Sequence, residues 1–266
     1  MKAIWLKLLC VLILFNSCST VPITNRKQMN LIPESEMLSL SLTEYQNFLK
    51  QNPPVTSTAD AQMVKNVGAR IQNAVTQYMN QNKMGNRISG YKWEFNLVNS
   101  KEVNAWCMPG GKVVVYSGLL PVTQDETSLA IVMGHEIGHA IAKHGNERMT
   151  QGLLAQFGGM ALDVALANNS PEARSIFLTS YGVGSTLGVL AFSRTQESEA
   201  DKLGVIFAAM AGYDPRKAIP FWQRMSASGG GGKPPEFLST HPSDQTRIKD
   251  LQAFMPKAMT YYKGKL

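Results

Sequence analysis

The sequence predicts an α+β fold, mainly helical, in which a small β-sheet lies beside one strongly patterned helix running from Gln124 to Lys143. Three observations carry this expectation. Between residues 34 and 82, apolar side chains recur at helical spacing, with Val64, Val67, Ile71, Val75 and Tyr78 on one stripe. From Tyr91 to Val98 the period changes to two, with Trp93, Phe95 and Leu97 alternating against Lys92, Glu94 and Asn96, which is the pattern of a half-buried strand. The third observation is the 124–143 segment itself, where Leu129, Val132, Met133, Ile137 and Ala140 supply a helical apolar face.

In chain order, the first helical region breaks at Pro53-Pro54. After the alternating strand comes a Pro109-Gly110-Gly111 turn, followed by the run Val113-Val114-Val115-Tyr116, a second strand. Thr123 is placed to cap the next helix, with Glu126 three residues later closing a capping box. Helix is expected to continue to Asn168. A further helix is expected from Thr195 to Met210, stopped by Gly212 with Pro215 beyond. Ser226 to Pro235, with four consecutive glycines, reads as a loop, and Asp244 to Ala258 as a last helix.

Length and composition suit a single domain. The chain has 266 residues, 44% apolar and 17% charged, which is globular rather than disordered composition. The formal charge of +7 comes from scattered Lys and Arg without a basic block, so no nucleic-acid partner is expected. Residues 1–17 read as a signal peptide, with Lys2 and Lys7 ahead of an apolar run from Leu8 to Phe15 that is too short to span a bilayer. The small residue before Cys18 resembles a bacterial lipobox, although Phe15 stands where Leu is usual. Cys18 is therefore expected to carry a lipid anchor, residues 18–34 to form a tether, and residues 35–266 to form the domain. That leaves Cys107 alone in the body, where it reads as a small buried apolar residue. Ser175 to Ser193 carries no charge, but its glycines and hydroxyls favour a buried or groove-lining segment over a membrane span.

The chemistry concentrates at His135-Glu136-Ile137-Gly138-His139. Two histidines four residues apart on a helix project from one face and can reach one ion. Glu136 sits about 100° around the axis, beside the ion rather than on it, where it can take a proton from water. The small Gly138 lets a neighbouring helix pack closely behind. A catalytic zinc needs a third protein ligand and an open position. Glu197 and Asp201, again four apart on the later helix, offer one ligand and one carboxylate to orient a ligand histidine, and helical geometry alone leaves open which is which. Glu199 points away from both and reads as a solvated charge.

Together with Asn104-Ala105, Pro109-Gly110-Gly111, Ser117-Gly118-Leu119-Leu120, Ser193-Arg194, Ser239-Thr240-His241-Pro242 and Arg247-Ile248, these motifs resemble the gluzincin peptidase family. That family includes the CAAX prenyl endopeptidases and the bacterial heat-shock membrane proteases. The resemblance spans roughly Thr24 to Ile248 and is closest to exported, lipoprotein-type members. It implies a zincin-type fold and one Zn2+ per chain, with His135, His139 and Glu197 as ligands and Glu136 as general base. Asp201 then corresponds to the carboxylate behind a ligand histidine. His241 corresponds to a histidine that either stabilises the oxyanion or fills the open position. Gly111, Val113 and Val115 correspond to a strand edge that pairs with substrate backbone. His144 has no catalytic counterpart and is expected to serve the helix end. The implied protein is a zinc metalloendopeptidase facing the periplasm as an outer-membrane lipoprotein, anchored through Cys18 and acting on unfolded or misassembled envelope proteins. The competing reading is a lipoprotein chaperone or assembly factor for envelope proteins, with zinc in a regulatory role.

Overall fold

In the computed structural model, the described residues are 18–157, 171–183, 193–227, 236–241 and 245–264. The expected signal peptide 1–17, the Gly-rich segment 228–235, the end of the expected helix near 168 and residues 184–192 of the uncharged stretch lie outside them. The fold is α+β and mainly helical, with the small sheet beside the HExxH helix, as the sequence predicts.

The first two long helices are α1 (Glu34–Gln51) and α2 (Ala59–Gln81), separated by the short strand β3 (Pro54–Val55). Thr58 caps α2 by accepting from the Ala61 amide. The predicted stripe is the buried face of that helix, with Val64, Val67, Ile71 and Val75 fully enclosed. The sheet strands β4 (Glu94–Val98), β5 (Ala105–Met108) and β6 (Lys112–Tyr116) join β3 in the order β3-β4-β6-β5. Gly110 and Gly111, at φ +81° and +76°, make the turn between β5 and β6, a left-handed conformation that a side chain would strain.

One expectation fails here. Strand β6 is not an edge: it pairs in parallel with β4 on one side and antiparallel with β5 on the other. Val113 and Val115 are buried, and their backbone is committed within the sheet, so Gly111, Val113 and Val115 cannot be the edge that receives a substrate. The outer strands of this sheet among the described residues are β3 and β5, and of these β5 packs against the HExxH helix.

That helix, α4, runs Glu126–Ile141, and its cap is Asp125, which accepts from the Ser128 amide, rather than Thr123. Thr123 instead ends a one-turn helix, α3 (Leu120–Thr123), bonding back to the Leu120 carbonyl, and Gln124 at φ +64° breaks the path between the two. After α4 come α5 (His144–Phe157), α6 (Pro171–Ser180) and α7 (Arg194–Met210). Ser193 and Gln196 form a reciprocal capping box at the start of α7, and Gly212 at φ +82° follows its end. The C-terminal part holds α8 (Ala218–Ala227), α9 (Glu236–Thr240) and α10 (Gln245–Met259). No helix among the described residues is long and apolar enough to cross a membrane.

Helices α4 and α7 are the centre of the molecule, and small residues set their separation. A Cβ on Gly134 would come within 2.8 Å of the Gly204 carbonyl oxygen, and one on Gly138 within 2.9 Å of the Ala200 carbonyl oxygen. Backbone therefore meets backbone, which brings the ligand-bearing faces of the two helices within a side chain's reach of each other.

The N-terminal segment is also not a free tether. Strands β1 (Cys18–Thr20) and β2 (Lys27–Met29) form an antiparallel hairpin docked on the body. Val21 is fully buried, and Gln28 donates from Nε2 to the Ala142 carbonyl at the end of α4.

Candidate metal centre

Helix α4 presents His135 and His139 one turn apart towards α7, and both side chains are almost wholly buried. Their Nε2 atoms lie 3.1 Å apart. From α7, Glu197 brings Oε1 to 3.2 Å from His139 Nε2 and Oε2 to 3.5 Å from His135 Nε2. From the end of α9, His241 places Nδ1 at 2.9 Å from Glu197 Oε1 and 3.3 Å from His135 Nε2. One ligand atom from each of these four residues lies within 4.8 Å of every other. Ligand atoms around a tetrahedral zinc, at bonds of about 2.0–2.1 Å, are about 3.3 Å apart. The donor set and its spacing therefore fit such an ion, and His241 completes four protein donors.

The protonation states suit the same conclusion. Burial lowers the pKa of His135 and, more strongly, of His139, so both rings are neutral and offer a lone pair. Burial alone would raise Glu197, but the opposing contacts, led by the Arg247 guanidinium, outweigh it and hold the carboxyl well below its ordinary value. Glu136 behaves oppositely. Burial pushes it up to about 7, and its Oε1 is buried without a hydrogen-bond partner, 3.6 Å from His241 Nε2. A carboxyl poised near neutrality beside the ligand cluster is suited to exchange a proton.

Two carboxylates stand behind the two histidines of the cluster. Asp201 Oδ1 accepts from His135 Nδ1 at 2.9 Å, which turns Nε2 towards the cluster. Asp201 is in turn gripped by Arg247 of α10, from Nε at 2.5 Å and Nη2 at 2.8 Å. Arg247 Nη1 also lies 2.7 Å from Glu197 Oε2, and its guanidinium stacks 4.0 Å over the Trp222 ring. The sequence offered Arg247 only as part of a motif match, with no role.

Glu199 and His144 correct their expected places. Glu199 is not a solvated charge: its side chain is 2% exposed. His144 does not merely end a helix: it is fully buried, with Nδ1 2.9 Å from His139 Nδ1 and Nε2 3.0 Å from Glu199 Oε2. Lys143, at φ +60°, reverses the chain just after α4 so that His144 folds back on His139. A histidine five residues past the ligand, just beyond a helix end, was the available signal. Cys107, as expected, is a buried free thiol, its pKa raised by burial.

Comparison with known proteins points the same way. The model of peptidase family M48 matches residues 66–255. The mitochondrial metalloendopeptidase OMA1 of Bos taurus is 32% identical over 260 residues, covering 95% of this chain and 49% of that protein. The OMA1 of Schizosaccharomyces pombe is 37% identical over 175 residues, 64% of this chain and 49% of its own. The beta-barrel assembly-enhancing protease of Escherichia coli K12 is 31% identical over 186 residues, 66% of this chain and 38% of that protein. The chain thus spans about half the length, or less, of these relatives. With a buried His135–His139–Glu197 cluster, an adjacent Glu136 and a family match over most of its length, the chain belongs to peptidase family M48.

Proposed function

We propose that this protein is a zinc-dependent metalloendopeptidase binding one zinc ion per chain through His135, His139 and Glu197. The observation that carries this reading is the tetrahedral spacing of the buried, neutral imidazole nitrogens and the ionised carboxylate. When bound, zinc supplies a Lewis acid that lowers the pKa of water towards about 7 and polarises a peptide carbonyl.

The protein's own groups do the rest. Glu136 takes the proton of the attacking water at the Oε1 left without a partner, and returns it to the leaving amine. Its pKa of about 7 makes both transfers accessible near neutral pH. Asp201 holds His135 in the tautomer that leaves Nε2 free to ligate. His241 occupies the position that a substrate or water would need, so it acts as a latch in the resting state and swings out for turnover. Its contacts with both Glu197 and His135 favour that role over oxyanion stabilisation. An extended substrate adds to the outer edge of β5 (Ala105–Met108), beside α4, so main-chain hydrogen bonds give a cleavage tolerant of sequence.

In the cell, the proposed substrates are unfolded or misassembled envelope proteins. The leader 1–17 and Cys18 support a lipoprotein facing the periplasm, attached to the outer membrane. The Escherichia coli relative is by name a protease of beta-barrel assembly, which suits this setting, whereas the OMA1 relatives are mitochondrial. The test is cleavage of an unfolded protein that stops on metal removal and returns with one equivalent of zinc. Undiminished cleavage by metal-free protein would end the proposal.

A further inference from the structure

The hairpin 18–29 reaches the metal centre through one side chain. Arg26, in its turn region, grips Glu199 from Nε at 3.0 Å and 3.1 Å and from Nη2 at 3.1 Å. The same guanidinium makes two parallel bonds to Glu147 of α5, at 2.7 Å and 2.8 Å. Thr24 of the same turn donates to Glu199 Oε1 at 2.6 Å. Glu199 therefore has its charge matched and its oxygens fixed by residues more than 170 positions away in sequence.

From Glu199 the contacts run in a single direction. Its Oε2 lies 3.0 Å from His144 Nε2, and His144 Nδ1 lies 2.9 Å from His139 Nδ1. A ring that gives Nε2 to a metal must carry its proton on Nδ1. His139 then donates from Nδ1 to His144 Nδ1, and His144 donates from Nε2 to the carboxylate. Only one set of tautomers satisfies all three contacts, and a Glu199 carboxylate fixed by Arg26 and Thr24 selects it. Outer partners of this kind fix ring orientation and raise ligand basicity.

We propose that Arg26 is a positioning residue for the metal ligand His139, acting through Glu199 and His144, so that the N-terminal hairpin is a working part of the metal centre. This rests on the reading of His135, His139 and Glu197 as zinc ligands. It also means that the segment joining the folded body to the leader contributes to metal retention, and that displacing it weakens the site without touching a ligand.

The experiment measures zinc dissociation constants by chelator competition for the full chain and for Arg26→Gln, Glu199→Gln and Arg87→Gln. Arg87 is the control: it anchors the same hairpin by donating to the Thr20 carbonyl at 2.9 Å. Outer-partner losses weaken metal binding by about 10–100-fold. For this relayed contact, Arg26→Gln and Glu199→Gln are expected to weaken zinc binding about tenfold, with Arg87→Gln within twofold of the parent. With 15N-labelled histidine, the zinc-loaded parent shows a proton on His139 Nδ1 whose resonance moves in Arg26→Gln and Glu199→Gln but not in Arg87→Gln. Parent-like zinc affinity in Arg26→Gln and Glu199→Gln overturns the proposal, as does an equal loss in Arg87→Gln. If Arg26→Gln does not fold, the near-isosteric Glu199→Gln decides. A parent chain that binds no zinc overturns the metal-centre reading itself, and this inference with it.

Discussion

The two histidines of the HExxH helix sit one turn apart, yet they are supported in different ways. His135 meets its carboxylate directly: Asp201 on the facing helix, clamped by Arg247 from the C-terminal helix. His139 meets its carboxylate through an intermediate, His144, with Glu199 clamped by Arg26 from the N-terminal hairpin. Both supports end in an arginine–carboxylate pair drawn from the two extremes of the chain. The difference teaches where the site is stiff. Arg247 is buried, and it pairs with both Asp201 and the proposed ligand Glu197. Arg26 is about a quarter exposed and touches no ligand.

The comparison breaks most severely at Arg247. Arg247→Gln leaves two buried carboxylates uncompensated, and removing one partner of a buried ion pair costs about 3–5 kcal/mol. Denaturant unfolding of metal-free protein should show that loss, with zinc restoring part of it and Arg26→Gln losing less. Equal losses would erase the distinction between the two supports. Next in size is Asp201→Asn, which should weaken zinc binding towards the upper end of the roughly 10–100-fold range for outer partners, more than Glu199→Gln does. The reverse order, measured by chelator competition, would mean that the relayed support dominates.

His241 belongs to neither support and sharpens the account from the open side. As a fourth donor in the resting site, it should restrain turnover, so His241→Ala is expected to keep zinc and raise the initial rate of peptide cleavage several-fold. A fall in rate with zinc retained would assign it to the oxyanion instead.

The smallest effect is on pH. Burial lowers the pKa of His135, His139 and His144, whereas in the unfolded chain they titrate near 6.5. Below that value the unfolded state binds protons that the folded state refuses. Their contribution to stability is therefore present above about pH 6.5 and lost as pH falls below it. Calorimetry of metal-free protein should show the melting temperature dropping from pH 7 to pH 5. Two of the three histidines lie on the relayed side, so His144→Asn should flatten the drop, and an unchanged slope would count against its burial in the neutral form.

How much of this was legible follows the same division. His135, His139, Glu197 and Asp201 come in pairs four apart, and helical periodicity alone put each pair on one face. Glu199 lies between the latter two in sequence and on another face of the helix, so a helical wheel sends it to solvent. Only the docking of Arg26, a tertiary event, shows that this other face is covered too. Strand β4 was readable from alternation and β6 from its apolar run, but β5 and the order of the sheet were not. The parallel pairing of β4 with β6 places the later strand inside the sheet and leaves β5 outside, and no local pattern encodes that. The helix cap was missed by two residues because Thr123 and Asp125 both suit the role, and the left-handed Gln124 between them decides it.

The central claim is that Glu136 performs proton transfer at a zinc held by His135, His139 and Glu197. Its most direct test is zinc content together with cleavage of an unfolded protein, comparing the parent chain with Glu136→Gln. The account predicts one zinc per chain in both, and cleavage reduced at least about 100-fold in the variant, as expected on losing a general base. Parent-like cleavage by zinc-loaded Glu136→Gln would contradict it.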